Sequence, residues 1–78
     1  MARKRDAFPE TITAFYHENQ AVAFTSLLNG ALGKASLWFH CKNVADGCWS
    51  VEATATLYGS ERRTVNILCR GFLAGCRA

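Results

Sequence analysis

The chain has 78 residues and a mass of 8.6 kDa, so it makes one small domain; a fold of this size hides only about 60% of the surface its unfolded chain exposes. Half of the residues are apolar, with five Phe, two Trp and two Tyr among them, which is too hydrophobic for a disordered tail. Nine Lys and Arg against six Asp and Glu leave a formal charge of +3, which argues against an acidic mimic of nucleic acid.

The positive charge is concentrated at the start, where Arg3, Lys4 and Arg5 face a single Asp6. Residues 1–8 are therefore expected to be a flexible basic arm. Behind that start, Pro9, Glu10, Thr11 and Thr13 interrupt any apolar run of signal-peptide length. No stretch approaches the roughly 20 apolar residues a membrane span needs, so a cytoplasmic protein is expected.

Thr11 to His17 reads as a strand on its Thr, Ile, Phe and Tyr content. Ile12, Phe15 and Tyr16 also suit a backward extension of the helix that follows, or a hairpin running through Glu18 and Asn19 to Val22 and Phe24. Ala21, Phe24, Leu27, Leu28, Ala31 and Leu32 recur at helical spacing and predict a helix from about Gln20 to Leu32, with Asn19 as N-cap and Gly33 as stop. Leu37, Phe39 and Cys41 then alternate with Trp38, His40 and Lys42. A strict alternation follows from Cys48 to Tyr58, and a third from Thr64 to Arg70.

These segments predict a meander of three strands. Ala45, Asp46 and Gly47 suit a three-residue hairpin loop with Gly47 left-handed, which sets Val44 against Cys48, Cys41 against Val51 and Phe39 against Ala53. Parity then places Leu57 opposite Val65, Ala55 opposite Ile67 and Ala53 opposite Cys69. The fold class expected is α+β: one helix packed on a three- to four-stranded antiparallel sheet in the order β-α-β-β-β, with 1–78 as a single domain.

Four cysteines fall in two pairs, Cys41 with Cys48 and Cys69 with Cys76, spaced too widely for a standard zinc finger. Reduced thiols are expected, and Cys48 with Cys76 is the one intramolecular bond the strand layout permits. Cys41 and His40 are adjacent on one strand and so point to opposite faces, unable to act as nucleophile and base. Ser50, His40 and Glu52 have the letters of a triad, yet a flat sheet face supplies no oxyanion donors. No catalysis, no cofactor and no metal are expected.

The informative surface is the sheet face turned away from the helix. With the register above, His40, Glu52 and Arg70 form an ion-paired row, while Trp38, Thr54 and Leu68 align on one side of it and Lys42, Ser50 and Phe72 on the other. Large apolar groups at Trp38, Leu68 and Phe72 predict a protein interface, with Trp38 as anchor and a rim of His40, Lys42 and Arg70. Arg62 and Arg63, at the tip of the second turn, add charged contacts. A homodimer through this open face is its simplest form. A nucleic-acid-binding regulator that uses the arm and the turn arginines on phosphates is the alternative.

In build, the chain resembles the small single-domain proteins of phages and other mobile elements, among them anti-CRISPR inhibitors, which lack catalytic motifs. That resemblance implies a stoichiometric blocker of a bacterial defence complex, with a CRISPR effector subunit as protein partner.

Overall fold

A computed structural model describes residues 8–77. Five elements follow one another: β1 (Glu10–Phe15), α1 (Glu18–Leu32), β2 (Phe39–Ala45), β3 (Cys48–Ala53) and α2 (Gly59–Arg77). The strands form one antiparallel sheet in the order β1-β3-β2, so the class is α+β and the ambiguous first segment is a strand. The basic arm of Arg3, Lys4 and Arg5 lies outside the described residues.

The hairpin β2–β3 has the expected register, with Phe39 opposite Ala53, His40 opposite Glu52 and Cys41 opposite Val51. Its turn is tighter than expected. Ala45, and not Val44, faces Cys48; a bulge between Asn43 and Ala45 absorbs the extra residue, and Asp46 and Gly47 remain as the loop. Gly47 adopts φ 67°, the left-handed conformation that glycine reaches without steric penalty. Asn43 fixes the bulge by donating from Nδ2 to the carbonyls of Ala45 and Cys48, at 2.8 and 3.0 Å.

Helix α1 starts at His17, two residues before the expected cap. The His17 backbone is extended, its side chain makes no capping bond, and its carbonyl accepts the N–H groups of Gln20 and Ala21. Glu18 in the first turn complements the positive end of the helix dipole. Ala21, Phe24 and Leu28 line the buried stripe, and the Gly33 N–H closes the helix on the Asn29 carbonyl at 2.9 Å.

The last segment is a helix, not a strand. The alternation of Val65, Ile67 and Cys69 is real over five residues, but over the full segment Val65, Leu68, Cys69, Phe72 and Leu73 recur at three and four, the period of one helical face. Val65 is buried and the other four are half-buried against the core, whereas Ile67 is 63% exposed. The expected pairings of Leu57 with Val65, Ala55 with Ile67 and Ala53 with Cys69 are therefore replaced by helix packing. β3 itself stops at Ala53, yet Ala55 and Leu57 stay buried while Thr54 and Tyr58 are exposed, so the two-residue period outlasts the ladder.

The core lies between the inner sheet face and the two helices. Phe15, Phe24 and Phe72 join β1, α1 and α2 through ring contacts with centroids 5.2–5.7 Å apart. Phe39, Leu37, Val51 and Leu28 fill the rest. The start of α2 is fastened twice. Glu61, only 6% exposed, accepts the Tyr58 N–H at 2.8 Å in the manner of a capping box and pairs with Lys34 Nζ at 3.0 Å. Glu10 accepts both guanidinium nitrogens of Arg62, at 2.7 and 2.9 Å, and the Leu57 N–H at 3.3 Å.

Candidate functional site

The outer sheet face carries His40 and Lys42 from β2 and Ser50 and Glu52 from β3, because side chains alternate along each strand. Glu52 is central: its carboxylate lies 3.8 Å from His40 Nε2 and 3.4 Å from Lys42 Nζ. His40 is its direct cross-strand neighbour and Lys42 its diagonal one. Ser50 is buried between Lys42 and, on the far side of β3, Ala14.

Trp38 stands just before β2. Its backbone is pinned from both directions, since its N–H donates to Thr54 Oγ1 at 3.1 Å and its carbonyl accepts the Thr54 N–H at 2.9 Å. One edge of the indole rests over Gly33, so closely that an added Cβ there would sit 2.8 Å from Cζ3. The ring is still 54% exposed. A large apolar group whose backbone is fixed is thus presented to water.

The other half of the expected surface is not there. Across β3 from the Glu52 row lies β1, which contributes Thr11 opposite Glu52 and Ala14 opposite Ser50. Arg70, Leu68 and Phe72 sit on α2 instead: Phe72 and Leu68 pack on the core, and Arg70 is exposed on the helix. No sheet row of His40, Glu52 and Arg70 forms. Arg62 and Arg63 are in the first two turns of α2 and not at a strand turn; Arg62 is held by Glu10, and Arg63 is exposed. Of the sequence-derived site residues, His40 and Lys42 meet at Glu52, while Trp38, just ahead of them in the chain, lays its indole against Gly33.

Sequence reasoning missed Glu10 and Glu61 as the anchors of α2. The Glu10–Arg62 contact spans 52 positions, and no local pattern announces it. Arg62 holds the Glu10 carboxyl below the usual carboxylate range, chiefly by hydrogen bonding.

All four cysteines carry free thiols, half-buried at Cys41, Cys48 and Cys69 and exposed at Cys76. No helix among the described residues is long and apolar enough to cross a membrane. Comparison with protein families, curated proteins and solved structures finds no match to this chain.

Proposed function

We propose that this chain is a non-enzymatic protein-binding module that docks through the outer sheet face, with Trp38 as the anchor and His40 and Lys42 as the polar rim. The observation that carries this reading is the indole itself: backbone-pinned, supported on one edge by Gly33, and 54% exposed. β1, on the other side of β3 from β2, contributes the short side chains of Thr11 and Ala14 opposite Glu52 and Ser50.

On its likeness in build to mobile-element inhibitors, the partner proposed is a subunit of a bacterial CRISPR effector, met in the cytoplasm and blocked stoichiometrically. Titrating the chain into a purified effector while following target cleavage tests this. Activity should fall to an end point at a fixed molar ratio, and Trp38→Ala should shift or abolish the titration. Full cleavage at excess protein contradicts the proposal. A second copy of the chain is the other partner this face suits, and light scattering on wild type and Trp38→Glu detects it as a dimer that the charge dissociates.

A further inference from the structure

Helix α2 presents a second surface, remote in character from the sheet face. Arg63 and Arg70 are seven residues apart, which places them on one side of the helix about 10.5 Å apart along its axis. Asn66, Ile67 and Ala74 fall on the same side, and all five residues are exposed. The interval recurs in the sequence at Arg77. The one acidic residue of α2 is Glu61, which is buried and engaged by Lys34, so this face holds no carboxylate. Neither Arg63 nor Arg70 pairs with an acid among the described residues, whereas Arg62, one position away, is taken by Glu10.

We infer that this face of α2 docks on the sugar-phosphate backbone of duplex nucleic acid. Every basic side chain on the helix is arginine, whose planar fork matches a phosphate bidentately, while Lys34 and Lys42 lie outside it. Ala74 adds little bulk, and a Cβ built at Gly71 meets nothing within 4 Å, so a phosphate chain can approach the helix closely. Unpaired arginines of one sign complement a polyanion of regular charge. This surface goes beyond the protein-binding reading and does not depend on Trp38.

The test is fluorescence anisotropy of a labelled DNA duplex with the full chain, at salt from about 50 to 200 mM. Each phosphate contact contributes about 0.9 to the log–log salt slope, so the fourfold rise in salt should weaken wild type roughly tenfold more than Arg63→Gln/Arg70→Gln. Arg63→Lys/Arg70→Lys should keep the wild-type salt slope, because the charges remain, but bind more weakly, because the fork is lost, and Trp38→Ala should bind as wild type. Circular dichroism confirms that each variant folds. No binding at micromolar protein in low salt overturns the inference, as does binding whose salt slope the glutamine variant leaves unchanged. Equal or tighter binding to phosphatidylserine vesicles, or to polyglutamate, also overturns it.

Discussion

Asn29 shows how one side chain joins two elements. β2 is an edge strand, and the backbone of Phe39 turns its N–H and carbonyl away from β3. Asn29 on α1 satisfies both, accepting from the N–H at 2.8 Å and donating to the carbonyl at 3.0 Å. An amide alone has the donor and acceptor for this. Asn29→Ala strands two part-buried backbone groups and should lower unfolding free energy by about 1–3 kcal/mol in urea titration. Asn29→Asp keeps the acceptor, sets a charge against the Phe39 carbonyl, and should not rescue. At Gly33 the constraint is space, since an added Cβ would lie 2.5 Å from the Asn29 carbonyl oxygen and 2.8 Å from the Trp38 ring. Gly33→Ala should destabilise by about 1–3 kcal/mol and displace the indole. Sequence spacing identified Gly33 as a helix stop; its role as the seat of Trp38 depends on a tertiary contact that no periodicity encodes.

At the level of elements, the legible parts are those whose pattern matches their burial over their whole length. β2 and β3 each bury one face, so counting parity from the Asp46–Gly47 turn recovers Phe39 with Ala53 and Cys41 with Val51. α2 was illegible in a short window, because Val65, Ile67 and Cys69 satisfy a two-residue period before Phe72 and Leu73 settle the longer one. The start of α2 then rests on one local cap, Glu61 on the Tyr58 N–H, and on ion pairs distant in sequence. Glu61→Ala should remove the bond to the Tyr58 N–H and the pair with Lys34, lowering stability by roughly 0.5–2 kcal/mol. Glu61→Gln, which keeps an acceptor, should cost less in the same thermal or urea melt.

Glu10 gives this anchoring a pH dependence of definite sign. Its carboxyl titrates lower in the folded chain than in the unfolded one, where the usual value is about 4.3. The unfolded state therefore binds its proton first as pH falls. The stabilisation is complete above the unfolded value and disappears as pH drops through the folded one. Urea midpoints for wild type and Glu10→Gln should differ near neutrality and converge in acid. A gap that persists at the acid limit would assign the effect to something other than the carboxylate charge.

As a whole molecule, the chain has two faces with different chemistry. On the sheet face Glu52 lies between His40 and Lys42, while Trp38 stands exposed just before β2. The helix face carries Arg63 and Arg70 and no acid among the described residues. Half of the residues expected on the outer sheet face precede or lie on β2, where strand parity holds. The other half moved because Leu68, Arg70 and Phe72 follow a helix, which buries Leu68 and Phe72 partway and turns Arg70 to solvent.

Docking through Trp38 requires its indole to stand open to solvent on a folded scaffold. Trp49→Phe leaves Trp38 as the sole indole, and its emission can then be followed against acrylamide with the fold checked by circular dichroism. A red-shifted band that acrylamide quenches readily, and that a bound protein partner shields, is the result predicted. A blue-shifted band that resists quenching in the free protein would contradict it.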